Sequence, residues 1–473
     1  MTVTGKRVFV LGTGVSGEAA AALLNREGAH VTVFDQGAEK ATESIRELRD
    51  HGVEFRFGTG DELPLAEADL VVTSPAFPLE HPWIMSCAKE GKELISELEL
   101  GARFWKGSSL AVTGSKGKTS IVKFLSDTLN AAGVRASPAG NYGIPLCTLC
   151  LAEQPVQYAV VEVSSFQMEH TKTFAPDAAI LLNVQADHLN RHHTMEAYRD
   201  LKLRMFAAMR PGAIALLPEG LADCGAVPQG VETWRFGSGA ETCTPGEGRA
   251  GYETGRIVLT DPQGNRREVS AAGSWFDNPV FGVSASAAVA VLAHLGLTDE
   301  QIARGLESFQ PLPHRMQWIG RSEAGVDFVD DSKATSLTAM MAAIRMVSAR
   351  KEAQKNGGKQ IILIAGGQLK EPDVNCAKEM LENFVKKVYL IGCCAKRMGE
   401  AWSSVVPCED CGCMETAVER AVAEASAGDT ILLSPGTASF DQFTGYRERG
   451  ERFVKVVRAV THPTGVSFLK DGE

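Results

Sequence analysis

Three times along this chain a short, largely β-branched run ends in a glycine-rich turn and gives way to a helix-like stretch, at residues 7–11, 110–113 and 360–365. Each opens a zone of alternating strand and helix patterns, the signature of parallel α/β sheets. Length agrees, because 473 residues exceed what one hydrophobic core holds and predict about three domains. Pro and Gly mark two seams, residues 96–105 and Gln310-Pro311-Leu312-Pro313. The expectation is an α/β protein of three consecutive domains, 1–97, 98–312 and 313–473. Residues 218–267, rich in Gly, Glu and Thr, predict small β excursions within the middle domain.

Apolar residues at 44%, charged residues at 22% and a net charge of −10 describe an ordinary globular protein and argue against a nucleic-acid partner. No run of about 18 apolar residues occurs, so no membrane span is expected. The apolar stretch after Lys6-Arg7 is too short for a signal peptide, which predicts a cytoplasmic protein. Eleven cysteines without a secretion signal predict reduced thiols. Cys393, Cys394, Cys408, Cys411 and Cys413 cluster late in the chain. Only one true CxxC is present, with no histidine between, which favours free thiols over zinc.

The first glycine turn, Gly12-Thr13-Gly14-Val15-Ser16-Gly17, follows a strand and opens a helix near Glu18, while Asp35 ends the next strand. Such glycines let backbone amides approach a diphosphate, and Asp35 suits a ribose hydroxyl. Alone, this turn reads as a dinucleotide site, and a ligand-free tight turn is the alternative.

The second turn is sharper. Gly114-Ser115-Lys116-Gly117-Lys118-Thr119-Ser120 is a shortened phosphate-binding loop, GxxGKT. Its amides cradle phosphate oxygens, Lys118 neutralises terminal phosphates and the Thr119 hydroxyl suits magnesium. Behind it come Glu162 at the end of an apolar strand, Asp187-His188 after another, and Tyr198-x-x-x-Lys202 on one helix face. Each has a bland reading, as a solvated carboxylate, a helix cap and a surface lysine. In this order behind a phosphate loop they predict a two-metal phosphate site.

These motifs, with His314-Arg315 and Asp331-Ser332-Lys333-Ala334-Thr335, resemble the Mur ligase family over essentially the whole length. The resemblance implies a Rossmann-like UDP-binding domain, a central P-loop ATPase-like domain and a Rossmann-like C-terminal domain. Gly366-Gly367-Gln368-Leu369-Lys370 and the run from Leu433 to Phe443 resemble the members that add D-glutamate. The DNPR segment of members adding diaminopimelate or lysine is absent from the third domain; Asp277-Asn278-Pro279 lacks the arginine and lies earlier.

The resemblance implies ATP-dependent joining of D-glutamate to UDP-N-acetylmuramoyl-L-alanine through an acyl phosphate, in peptidoglycan precursor synthesis, by a monomer using two magnesium ions. It assigns catalysis to Lys118, Glu162, His188, Lys202 and Lys333, and metal binding to Thr119, Glu162, His188 and a carbamylated Lys202. ATP falls to the 114–120 loop, Asn278, His314, Arg315, Asp331 and Lys333. The UDP substrate falls to Gly14, Val15, Ser16, Asp35, Gln36, Ser74, Asn141 and His188. D-Glutamate falls to Thr335, Lys370, Ser439, Phe440 and Tyr446.

The sequence departs from the family at three places. Lys116 stands where asparagine is usual, and Ser336 replaces the asparagine after D-S-K-A-T. Phe281-Gly282 occupies the His-Asn position of the adenine motif HN-x-x-N. Three alternatives compete: a relative adding another amino acid, an NAD-dependent oxidoreductase using the first loop, and a non-catalytic nucleotide-binding protein.

Overall fold

The computed structural model describes residues 1–39, 42–222, 225–239, 246–353, 359–370 and 373–461. Its chain forms two compact units, Met1–Phe276 with Phe281–Ser308, and Asp277–Val280 with Phe309–Glu473. Residues 96–105 hold the end of strand Leu94–Ser96 and the helix Glu97–Phe104, and residues 310–313 follow directly on Phe309.

The first unit holds two sheets among the described residues. One is parallel and five-stranded, in the order Glu54–Arg56, His30–Phe34, Arg7–Leu11, Leu70–Thr73, Leu94–Ser96. The strand Arg7–Leu11 sits at its centre and is buried from Val8 to Leu11, as a strand flanked by neighbours on both sides must be. Gly12 has φ +94° and lets the chain turn directly into the helix Val15–Arg26, three residues earlier than the sequence pattern predicts. A Cβ on Gly17 would lie 1.9 Å from Gly12 O, so only glycine lets helix and strand approach here.

The second sheet has nine strands. Its parallel heart runs Ile214–Pro218, Ala178–Leu181, Ser108–Thr113, Tyr158–Glu162, Ala136–Gly140. The expected β excursions are not separate: Glu232–Ser238, Gly248–Glu253, Arg256–Thr260 and Arg266–Ser270 continue this sheet, the last two pairings antiparallel. Short alternating runs are what an antiparallel sheet edge requires, and periodicity alone does not say which sheet they join.

The helix Glu97–Phe104 binds the two sheets of this unit together. The Glu99 carboxylate is buried, accepts from the amides of Lys172 and Thr173, the Thr173 hydroxyl and Arg103, and is therefore held below its usual pKa despite burial. Glu97 is buried with its Oε1 on the Cys147 amide, and burial raises its pKa.

The second unit carries a six-stranded sheet, Gln317–Arg321, Asp327–Asp330, Thr430–Leu433, Ile361–Gly366, Val385–Ile391, Cys408–Gly412, parallel apart from its first pairing. Its two faces are separate apolar cores. One contains Leu363, Leu390, Trp402 and Leu432; the other contains Ile362, Ile364, Ile431 and Phe453. Among the described residues no group of three or more His, Cys, Asp and Glu is placed to hold a metal. Cys393 Sγ instead meets Gly367 O, and Cys408 Sγ meets Val406 O. No helix of the described residues is long and apolar enough to cross a membrane.

Candidate active site

The strand Ser108–Thr113 delivers the loop 114–117 to the N-terminus of the helix Lys118–Ala131, with Gly117 as N-cap at φ +86°. A helix N-terminus preceded by a glycine loop presents free amides and a positive dipole end to an anion. The loop is held from outside by Asn183, whose Oδ1 accepts from the amides of Ser115 and Lys116 while its Nδ2 donates to Lys116 O. Ser115 Oγ lies 3.0 Å from Gln185 O and 3.2 Å from the Tyr198 hydroxyl. Lys116 reaches Asp187 at 3.1 Å and so lies along the loop's rim.

Two ammonium groups converge on one carbonyl. Lys118 Nζ donates to Gly114 O at 2.7 Å and Lys202 Nζ donates to the same oxygen at 3.0 Å. Lys202 is buried, with its Nζ 4.3 Å from the centre of the Tyr198 ring. Burial and the adjacent Lys118 charge bring its pKa down to about 7. A buried cation beside another cation is costly, and the shift means that much of Lys202 is the free amine at neutral pH.

Glu162 ends the strand Tyr158–Glu162 and is 3% exposed. Its Oε1 accepts from Asn141 Nδ2 at 2.7 Å, whereas Oε2 is buried without a hydrogen-bond partner. The close turn that brings Asn141 here needs Gly140 (φ +84°), where a Cβ would lie 2.5 Å from Glu162 O. A buried, half-satisfied carboxylate close behind a phosphate loop fits a hard cation, since oxygen donors of this type hold magnesium. His188 lies on the exposed side, in a left-handed conformation (φ 54°) as N-cap of the short helix Leu189–His192. Its ring packs edge-on against Phe166.

At the first glycine turn, Asp35 Oδ2 accepts from both the amide and the hydroxyl of Thr13, and Oδ1 accepts from the Gly37 amide. The carboxylate thus fixes the turn as well as facing it. Gly14 has open space around it and Val15 is 74% exposed. Gln36 joins a chain from Asp61 to His81, and the Ser74 amide donates to Leu11 O.

In the second unit, four separated motifs meet at the carboxyl ends of the central strands. Asp331 Oδ1 accepts from the Met316 amide and Oδ2 from the Ser434 hydroxyl. Burial raises the pKa of this carboxyl to about 7, against those two hydrogen bonds. His314 has φ 64° and places Nδ1 2.7 Å from Asp330 Oδ2, while its carbonyl accepts from the Lys333 amide. Lys333 Nζ sits 3.9 Å from the centre of the Tyr446 ring, and burial lowers its pKa. Gln368 and Ala438 exchange two backbone hydrogen bonds, which brings the Lys370 loop beside Ser439. Phe440 is 68% exposed, and Thr335 is half-buried.

Three residues matter that sequence reasoning missed. Arg449 is fully buried and donates to Ser332 Oγ, Ser332 O, Thr437 O and Ala438 O. It ties the 331–335 loop to the 434–440 loop. Arg191 pairs with Glu169 and donates to Pro75 O and Phe77 O, joining the two sheets of the first unit. Asn183, just after the strand Ala178–Leu181, is the support of the phosphate loop. An asparagine directly after an apolar strand was a usable signal; nothing local marked either arginine.

Comparison with known proteins adds three family-model matches: Mur ligase MurD-like, N-terminal domain, over residues 6–96; Mur ligase middle domain over 112–248; and Mur ligase, glutamate ligase domain over 314–436. The chain is 35% identical to the UDP-N-acetylmuramoylalanine–D-glutamate ligase of Acidobacterium capsulatum over 465 residues, 97% of each chain. It is 33% identical to that of Koribacter versatilis over 461 residues, 97% of this chain and 98% of the relative. Among solved structures it is similar to the MurF ligase of Thermotoga maritima in complex with ADP, with TM-score 0.58, 18% identity and 97% and 96% coverage. The UDP-N-acetylmuramate-alanine ligase MurC of the same organism gives TM-score 0.55, 16% identity and 96% and 99% coverage. At these identities the structures speak for the fold alone.

Proposed function

The chain belongs to the Mur ligase family, and from that premise we propose that it joins D-glutamate to UDP-N-acetylmuramoyl-L-alanine at the expense of ATP. The relatives named for that reaction are matched from end to end. The observation that carries the chemistry is the convergence of Lys118 and Lys202 on Gly114 O beside the half-satisfied Glu162.

In this reading the alanyl carboxylate oxygen attacks the γ-phosphorus of ATP, the bond to the β-phosphate oxygen breaks, and ADP leaves. The D-glutamate amine adds to the acyl carbon and loses a proton. The tetrahedral intermediate then collapses, expelling inorganic phosphate and leaving an amide. Residues 114–120, with Lys118, hold the phosphates and offset charge on the transferred group. Thr119, Glu162, His188 and carbamylated Lys202 are the ligands proposed for two magnesium ions, which supply Lewis-acid stabilisation of that charge when bound.

The state of Lys202 supports carbamylation. The free amine's lone pair adds to carbon dioxide, one proton leaves, and the neutral amine becomes an anionic oxygen donor. Asn278, His314, Arg315, Asp331 and Lys333 are assigned to ATP. Gly14, Val15, Ser16, Asp35, Gln36, Ser74, Asn141 and His188 are assigned to the UDP substrate, and Thr335, Lys370, Ser439, Phe440 and Tyr446 to D-glutamate. We further propose a cytoplasmic monomer that binds no nucleic acid, working through domains 1–97, 98–312 and 313–473 and contributing to cell shape and division.

The test is phosphate release from ATP, magnesium and UDP-N-acetylmuramoyl-L-alanine, with D-glutamate or a panel of other amino acids. Release that requires D-glutamate is expected. Release with a different amino acid would overturn the acceptor, and release with none would overturn the ligase.

A further inference from the structure

The base of the nucleotide has its own recognition problem. The helix Pro279–His294 is packed on the strand Gly248–Glu253, with Ser286 Oγ donating to Ala250 O. Its Ser284 reaches the phosphate loop, since a Cβ on Gly117 would lie 3.9 Å from Ser284 Oγ. Just upstream, buried Phe276 packs against Phe124 of the helix that follows that loop, with centroids 4.8 Å apart. Ser284 is therefore anchored to the phosphate loop and Phe276 to the helix that follows it.

Next to these anchors in the chain, Trp275 and Phe281 stack face to face, with centroids 3.9 Å apart and planes at 26°. Both are only partly buried, unlike Phe276. Phe281 precedes Ser284 by one helical turn and so shares its face of the helix. Position 282 is closed to any side chain: a Cβ there would lie 2.3 Å from Tyr252 Cδ2. The Tyr252 ring fills the space into which an amide at 282 would project.

We propose that Trp275 and Phe281 hold the purine of the nucleotide by stacking, without an amide at position 282, and that the site consequently accepts guanine and hypoxanthine nucleotides alongside adenine. Every base offers a π-face, so stacking tolerates exchange of ring substituents. A hydrogen-bonding pocket rejects the wrong base because its own polar groups are left unpaired. This proposal rests on the ATP reading above and sharpens it.

The experiment is isothermal titration of the full chain, with magnesium, by ADP, GDP, IDP and inorganic tripolyphosphate. The three nucleotides are expected to bind within about tenfold of one another. Trp275→Ala and Phe281→Leu should each weaken all three by roughly 5- to 100-fold, the usual range for losing an aromatic stack, and leave tripolyphosphate unchanged. Trp275→Phe should retain most of the affinity. ADP binding about a thousandfold tighter than GDP and IDP, as a hydrogen-bonding site would give, overturns the proposal, and this panel on the unaltered chain decides the point even if a variant fails to fold. Unchanged ADP affinity in folded Trp275→Ala and Phe281→Leu overturns it equally. If tripolyphosphate and the nucleotides all fail to bind, the ATP reading itself falls, whereas tripolyphosphate binding without any gain from a base removes the stacking site alone.

Discussion

Lys202 in the first unit and Asp331 in the second are both drawn to a pKa near 7 by burial, yet their surroundings are built on different lines. Asp331 has a donor on each oxygen, an amide and a hydroxyl, and buried Arg449 braces the same loop. Lys202 shares a single carbonyl with a second cation, and nearby Glu162 has one oxygen unpartnered. Buried polar groups that are satisfied specify an architecture; those left short of partners mark where a ligand completes the site.

Four measurements test this contrast, in order of expected effect. Lys202→Met should lower kcat for D-glutamate-dependent phosphate release by about a thousandfold, as loss of a charge-stabilising group does, while raising the melting temperature because a buried charge is removed. A less stable Lys202→Met would break the comparison. Carbon-13 bicarbonate should give a carbamate resonance in the wild type that the variant lacks. Arg449→Met should do the reverse and destabilise the second unit by about 3–5 kcal/mol, leaving the carbonyls of Ser332 and Thr437 unsatisfied. Calorimetry reads this directly.

The third measurement is stability against pH in carbon-dioxide-free buffer. The folded pKa of Lys202 is depressed, so between about 7 and 10.5 the unfolded chain binds more protons and stability rises with pH. The folded pKa of Asp331 is raised, so between 3.8 and about 7 the native chain binds more protons and stability falls as pH rises. Each limb spans on the order of 4–5 kcal/mol. Lys202→Met should flatten the alkaline limb and Asp331→Asn the acid one; unaltered limbs would show that neither shift exists. The smallest effect belongs to Lys116→Asn. Its ion pair with Asp187 is half-exposed, and such pairs contribute about 0.2–1 kcal/mol, so the KM for ATP should move by less than about fivefold.

What could be read from the sequence follows the same division. Glycine turns after β-branched runs are local, so Gly12, Gly114 and Gly117 announced both loops, and Glu162 and Lys202 were singled out by their order behind the second. The continuation of the middle sheet through residues 232–270 was missed because strand pairing is set by distant partners. Arg191 and Arg449 were invisible for a related reason, since each acts through main-chain oxygens that carry no sequence signature. Tyr252 explains Gly282, but only the fold brings together two residues so far apart in the chain.

The unpartnered oxygen of Glu162 bears on how long a molecule of this protein lasts. On the proposed function a bound cation completes this acceptor, which makes the empty chain the weaker form, and occupancy adds stability in proportion to the logarithm of ligand over Kd. Proteases act on transiently opened chains, so idle copies are cleared faster than working ones. On that reading abundance follows the supply of magnesium and nucleotide.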